Sequence, residues 1–306
     1  MTFMDLLKKF PEEKDVVDYY VHVRYGDIVV CPHCGSIKVY QRNTNVKVFD
    51  CGDCKNTFSP FKGTIFEKSS TDLRKWMFAI HLFLNSKKGI SGLQLQRDIG
   101  VTYKTAWRML QQIRLAMSNT ESNEFFDTIV EIDETYVGGK PRKSNNHDDD
   151  LPKGTGTGAK RGRGTDKTPI VGMIDRNNKK AYARVAMPNS AGQKLTANQL
   201  MDILKVVSKQ ENNNIIMTDE FRGYDPLIRN SFVHLRVDHQ KAFSDNNGTH
   251  TNNIESFWAT LKRGIYGIYH HISIEYMQRY IDEFCFRYNN RDVDMFELVL
   301  KQSVLG

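Results

Sequence analysis

Four of the five cysteines fall within 24 residues, as Cys31-Pro-His-Cys34 and Cys51-Gly-Asp-Cys54, and no other feature restricts the folding of this chain so tightly. Two CxxC pairs separated by 16 residues allow two tight knuckles to present four thiolates tetrahedrally to one zinc ion. Gly35 and Gly52 are expected to permit the tight backbone turns beside the metal. Between the pairs, IKVYQRNTNVKVFD reads as short alternating strands with an Asn/Thr turn, and NTFSPFKGTIF follows in the same style. The spacing therefore predicts a zinc ribbon. Disulfides are the rival use of four cysteines. The N-terminal MTFMDLLKKFPEEKDVVDYY, however, has no positive segment followed by an unbroken apolar run, so no secretory signal is read, and disulfides are not expected inside a cell. An all-cysteine site leaves no open position for water, which makes the zinc structural rather than catalytic. Cys285 stands alone in an aromatic run, as core filler.

A chain of 306 residues with 40% hydrophobic content can bury one large core and carry small modules besides. No window approaches the roughly 20 apolar residues of a membrane span, and WMFAIHLFL (76 to 84) is the nearest. A soluble protein of the cytoplasm, with no membrane partner, is expected. The formal charge of +7 suits a polyanionic partner but equally a basic protein without one. In the ribbon, Lys38, Arg42, Lys47, Lys55 and Lys62 alternate with Tyr40, Phe49, Phe58 and Phe61. That mixture fits a phosphate backbone, or a small solvated sheet with its own core.

Residues 71 to 118 read as helical. Thr71 or Asp72 is placed to cap a helix with Leu73, Trp76, Met77, Ile80 and Leu84 on one face. Ser91 caps GLQLQRDI, Gly100 ends it, and Thr102 or Thr105 opens a longer helix striped by Ala106, Met109, Leu110, Ile113 and Met117. Short helix, glycine turn, longer helix is the outline of a helix-turn-helix, in which Thr102, Tyr103, Lys104 and Arg108 would reach DNA. An ordinary helical hairpin between domains is the other reading.

After the polar stretch NTESNEFFD, TIVEIDETYV alternates as a strand. Ile129, Glu131, Asp133, Thr135 and Val137 share one face, and Val130, Ile132, Glu134 and Tyr136 the other. Carboxylates inside a β-branched strand are costly to bury without a metal or partner. A polar Gly-rich and basic stretch follows, read as a surface loop or disordered insertion over 138–167, whose Lys140, Arg142, Lys143, Arg161 and Arg163 could track a DNA backbone. TPIVGMIDR (168–176) and KKAYARVAM (179–187) read as paired strands, 190–208 as a helix, NNIIMTDE as a strand ending at Asp219, and HLRVDH (234–239) as a fifth strand. Strand, strand, strand, helix, strand predicts an α/β, RNase H-like mixed five-stranded sheet with flanking helices. Before it stand the small zinc ribbon and the helical, helix-turn-helix-like domain. The expected domains are 1–66, 67–120 and 121–295, with 296–306 as a C-terminal tail. In the helix expected over 251–263, Ile254, Trp258, Leu261 and Ile265 form the buried stripe, and Glu255 and Lys262 lie seven residues apart along one line of the surface.

EIDETYVGGK with Asp133, MTDEFRGY with Asp219, and HTNNIESFWATLKRGIYGIYHHIS with Glu255 together resemble insertion-sequence transposases of the DDE type, in the branch with an N-terminal zinc ribbon. The 35-residue interval before Glu255 and its Glu-x6-Lys step are also similar to retroviral integrases. The resemblance covers residues 15 to 290 and implies a divalent-metal cofactor and an oligomeric complex on transposon ends. Asp133, Asp219 and Glu255 would hold Mg²⁺, with Mn²⁺ as a substitute, for cleavage and joining of double-stranded DNA. In relatives of this branch an Asn can take the third role, and Asn252 is the residue that would take it here, but a carboxylate is the better metal ligand and Glu255 is the expected one. Lys262 would orient the scissile phosphate; Arg263, His239 and His250 are further DNA-contact candidates. Two alternatives remain open at this point: a DNA-binding regulator with a decayed catalytic domain, and an RNase H-like nuclease that cuts without joining.

Overall fold

The computed structural model describes residues 1–118, 129–138, 167–187, 195–207, 215–218, 233–236 and 250–304. The chain forms two compact units, Met1–Thr120 with Asn290–Gly306, and Glu121–Asn289.

In the first unit, α1 (Phe3–Lys9) opens with a capping box. The Thr2 hydroxyl accepts the Asp5 backbone N–H, and the Asp5 carboxylate accepts that of Thr2. After α2 (Glu13–Tyr25) comes an antiparallel ribbon of β1 (Val39–Gln41), β2 (Phe49–Cys51) and β3 (Thr57–Phe58). Asp72 caps α3 (Leu73–Asn85) by accepting the Arg74 N–H. Ser91 caps α4 (Gly92–Ile99), and Gly100 ends it in the left-handed conformation. Thr102 then caps α5 (Tyr103–Ser118), its hydroxyl accepting the Thr105 N–H. The helices α3, α4 and α5 pack on one another through Leu73, Trp76, Met77, Ile80, Leu95, Met109, Leu110 and Ile113, all buried.

The second unit is built on one sheet with strand order β6-β5-β4-β7-β8. Its strands are β4 (Ile129–Val137), β5 (Thr168–Asp175), β6 (Lys180–Val185), β7 (Ile215–Thr218) and β8 (Val233–Arg236). The β4–β5 and β5–β6 pairs are antiparallel, and β4–β7 and β7–β8 are parallel. This is the RNase H-like arrangement expected from the element order. Alternation along β4 gives the sheet two apolar faces. On one, Val130, Ile132, Val171, Met173 and Ile216 pack with Leu200, Met201 and Leu204 of α6 (Ala197–Val207). On the other, Val137, Ile170, Ile174 and Ala183 pack with α7 (Asn252–Gly264) and α8 (Ile274–Asn289) through Ile254, Phe257, Trp258, Leu261, Ile281 and Phe284. Full burial of Ile254 and Leu261 contributes about 2 kcal/mol each. A π-helical turn, Ile265–Tyr269, extends α7.

Helix α8 also closes the outer edge of β6. The Asn289 amide accepts from Ala181 N at 2.6 Å and donates to Ala181 O at 2.9 Å. Three turns earlier, Gln278 accepts from Val185 N at 2.9 Å and donates to Ala183 O at 3.1 Å. Backbone groups that would otherwise invite another strand are thereby satisfied.

The C-terminal segment departs from expectation. Instead of a tail beginning at 296, residues Met295–Lys301 form α9, capped by Asp294 and packed on α2, α3 and α5. Ser303 bonds the Tyr20 hydroxyl at 2.7 Å, and its carbonyl accepts from Ile65 N at 2.9 Å. The apolar spacing of Phe296, Val299 and Leu300, all buried, explains why a short segment makes a helix here. Among the described residues, no helix is long and apolar enough to cross a membrane.

Candidate catalytic face and zinc site

The four ribbon thiols converge. Their Sγ atoms lie within 4.8 Å of one another, with Cys31–Cys54 at 3.7 Å and Cys34–Cys51 at 3.6 Å. Zn–S arms of about 2.3 Å give a tetrahedron with edges of roughly 3.8 Å, so the cluster has the dimensions of a zinc site. The two knuckles repeat one backbone pattern. Gly35 N donates to Cys31 O and Cys31 N to Ser36 O; likewise Lys55 N donates to Cys51 O and Cys51 N to Asn56 O. The left-handed position is Gly35 in the first knuckle (φ 73°) and Lys55 in the second (φ 60°). Gly52 lies in the second turn without a positive φ, and a Cβ there would stand 3.1 Å from the Tyr40 ring. Backbone N–H groups of Cys54 and then Asp53, aimed at the Cys51 sulfur, pull its thiol down to about 6, which favours the thiolate a metal binds.

The ribbon's aromatic and basic residues are largely spoken for. Phe49, Phe58 and Phe61 are buried, leaving Tyr40 exposed. Lys38 pairs with Asp53, Arg42 with Asp50 and Lys47 with Glu13. On α5, Tyr103 and Lys104 are exposed at the start of the helix, whereas half-buried Arg108 donates to Glu67 O at 3.0 Å.

On β4, Glu131 and Asp133 share the face that meets α7, but their surroundings differ. Glu131 is wholly buried at 0% exposure, and its carboxylate takes over the capping of α7. Oε2 accepts from the backbone N–H of Asn253 and of Ile254, each at 3.0 Å. Oε1 accepts from the Asn253 side chain at 2.8 Å and from Arg176 Nε at 2.6 Å. His250 Nδ1 lies 3.4 Å from the same oxygen, and the Arg176 guanidinium also bonds the His250 carbonyl. A helix N-terminus leaves donors without partners, and here a strand residue more than a hundred positions away supplies the acceptor. The local cap residue, Thr251, instead donates its hydroxyl to Glu255 at 3.0 Å.

Asp133, half-buried, meets the same helix one turn further along: Trp258 Nε1 donates to its Oδ2 at 3.1 Å. Trp258 is three residues beyond Glu255 and four before Lys262, so all three lie along one side of α7. Glu255 is exposed and Lys262 partly so. Asn252 is exposed at the first helical position, with Arg263 exposed near the last. The β4–β7 register runs Ile129↔Ile215, Val130↔Ile216 and Glu131↔Met217. Asp219 lies outside the described residues, as do His239 and the loop residues Lys140, Arg142, Lys143, Arg161 and Arg163. Among the described residues, the cysteines are the only group of three or more potential metal ligands within mutual reach.

Residues 126–289 match the ISXO2-like transposase domain, and residues 11–57 match the transposase zinc-ribbon domain. The chain belongs to the ISXO2-like transposases. The ISXO2-like domain thus spans the whole sheet with α6, α7 and α8. An uncharacterized protein in transposable element ISH50 of Halobacterium salinarum is 30% identical over 277 residues, covering 85% of this chain and 87% of that protein. An uncharacterized transposase-like protein of Haemophilus influenzae is 34% identical over 98 residues, or 32% of this chain and 78% of that one. Among solved structures, the Mos1 mariner paired end complex with Mn is 16% identical, with a TM-score of 0.31, over 98% of this chain and 96% of that chain.

Within this ISXO2-like chain, sequence reasoning did not find the Glu131, Arg176 and Asn253 network, or the bond from Trp258 to Asp133. The available signal was that Glu131 shares the face of Asp133. Its partners lie too far along the chain for spacing to reveal them.

Proposed function

We propose that the protein is a DNA transposase that cleaves the ends of its element and joins them to target DNA, with Asp133, Asp219 and Glu255 holding divalent metal ions. The observation that carries the reading is the seating of Asp133 against the helix that bears Glu255 and Lys262, through Trp258. Asp219 follows Thr218, the last residue of β7, and β7 runs parallel beside β4, the strand of Asp133. Carboxylate oxygens suit a hard cation such as Mg²⁺. Bound there, such ions supply activation of a water or 3′-hydroxyl and stabilisation of the departing oxygen. Lys262, two turns from Glu255, would orient the scissile phosphate.

DNA would be gripped through α4 and α5, with Tyr103 and Lys104 presented from the second helix of a helix-turn-helix. Arg263 and the basic loop would add phosphate contacts. The ribbon, with most of its charges paired internally, serves chiefly as a zinc-stabilised platform. Several copies of the chain would assemble on paired ends.

The test supplies labelled duplex carrying the DNA that flanks the gene, searched for inverted repeats, with Mg²⁺ or Mn²⁺. Cleavage and strand-transfer products are expected from the wild type. Asp133→Asn and Asp219→Asn should reduce both by more than about a thousandfold while end binding persists. Glu255→Gln should behave alike; an active Glu255→Gln beside a dead Asn252→Ala would move the third role to Asn252. Cutting without joining identifies a nuclease, and binding without either reaction identifies a regulator.

A further inference from the structure

We propose that Trp258 is a positioning residue for Asp133, fixing its carboxylate for metal binding, and that Gly172 is the recess that lets the indole reach it. The inference rests on the reading of Asp133 as a metal ligand. Trp258 is 4% exposed, and its only polar atom, Nε1, stands 3.1 Å from Asp133 Oδ2. The benzo end of the ring, next to that nitrogen, lies across β5. There, Gly172 is the residue directly opposite Asp133 in the β4–β5 register. A Cβ on Gly172 would come within 2.4 Å of both Cζ2 and Cη2 of the indole, and 3.1 Å of Ile254 Cδ1. No side chain fits between ring and strand, so the ring rests on bare backbone and its N–H runs sideways along the sheet to β4. Phe257, with ring centroids 5.2 Å apart, braces it from the helix.

An indole N–H donates only, and so cannot itself ligate a cation. What it can do is hold one carboxylate oxygen and with it the side-chain rotamer. Packing alone would need only an apolar ring of this size; the donor matters if the orientation of Asp133 matters. Partners that orient metal-binding side chains in this way are worth about 10–100-fold in metal affinity.

The decisive variant replaces Trp258 by benzothienylalanine, in which sulfur stands for the N–H inside the same ring outline. With the full zinc-loaded chain, Mn²⁺ binding is followed by the magnetic resonance signal of the free ion. The isostere should bind Mn²⁺ about tenfold more weakly. The metal concentration for half-maximal strand transfer should rise by the same factor, with the rate recovering at saturating metal and DNA affinity unmoved. Gly172→Ala should shift metal binding in the same direction, because its Cβ drives the ring away while keeping the N–H. Wild-type Mn²⁺ affinity in the isostere overturns the inference. Asp133→Asn separates the two levels: if it binds Mn²⁺ as the wild type does, Asp133 is no ligand and the functional reading fails. If it loses the metal while the isostere keeps it, the positioning role alone fails.

Discussion

The ribbon and the β4–α7 face each gather groups of like charge, and they do so in opposite ways. In the ribbon, four thiols come from 24 consecutive residues and two repeated knuckles, and little besides the metal can hold four sulfurs at 3.6–3.7 Å contacts. On the sheet, Glu131 and Asp133 are each bonded by groups from α7, more than a hundred residues away. Protein donors already compensate the buried carboxylate there. The difference teaches that the four thiols need a shared ion to hold them together, whereas protein donors already hold Glu131 and Asp133 in place.

Removing zinc should produce the largest effect and the sharpest contrast. Structural zinc contributes an apparent 10–16 kcal/mol in small modules, roughly. Chelation, or Cys51→Ser, should therefore abolish amide protection across residues 31–58 while leaving that of β4 intact in hydrogen exchange. Purified folded protein should carry about one zinc per chain, and metal analysis that finds none would erase the distinction.

Breaking the carboxylate side comes next. Glu131→Gln places an amide donor among the backbone and guanidinium donors that Glu131 now satisfies. The remaining carbonyl oxygen can serve Arg176 or the start of α7 but not both, and losing the charge beside Arg176 should cost about 3–5 kcal/mol, seen as a lower urea midpoint for the second unit alone. A loss below about 1 kcal/mol would mean that the network is not what seats α7.

The smallest effect tests burial with poor compensation. Asp282 on α8 has a Gln278 donor at 2.8 Å and Arg184 only at 3.8 Å, and burial pushes its carboxyl from 3.8 up to about 6. Between those values the folded state holds a proton that the unfolded chain has released. Stability should thus be fullest below about pH 4 and fall as the pH rises towards 6, by at most about 1.4 kcal/mol per pH unit. Asp282→Asn should flatten that slope in urea titrations at several pH values and stabilise the second unit at pH 7. An unchanged slope would assign the pH dependence elsewhere.

What the sequence revealed follows the same division. Cysteine spacing, the caps at Asp72, Ser91 and Thr102, and the alternation of β4 are local signals, and each element stands where the pattern puts it. The mixed five-stranded sheet was legible because the RNase H-like succession of elements is itself a pattern. Illegible were the partners of Glu131, since no spacing links residue 131 to residues 176 and 253, and the helix at 295–301, too short for periodicity to stand out. Lys55 escaped notice for another reason: a non-glycine residue adopts the left-handed turn there because the knuckle's hydrogen bonds hold it.

The return of residues 290–304 to the first unit has a consequence in time. Ribosomes deliver the chain from its N-terminus, and domains generally fold as they emerge. The ribbon and α3 to α5 are delivered early, but the partner of Tyr20 and Ile65, Ser303, arrives only after every strand of the sheet has been synthesised. The N-terminal unit therefore waits, partly open, through the making of the second one. A gene copy interrupted anywhere within the sheet would yield not a clean DNA-binding fragment but one with its aromatic core of Tyr20, Phe61, Phe66 and Trp76 left unsealed.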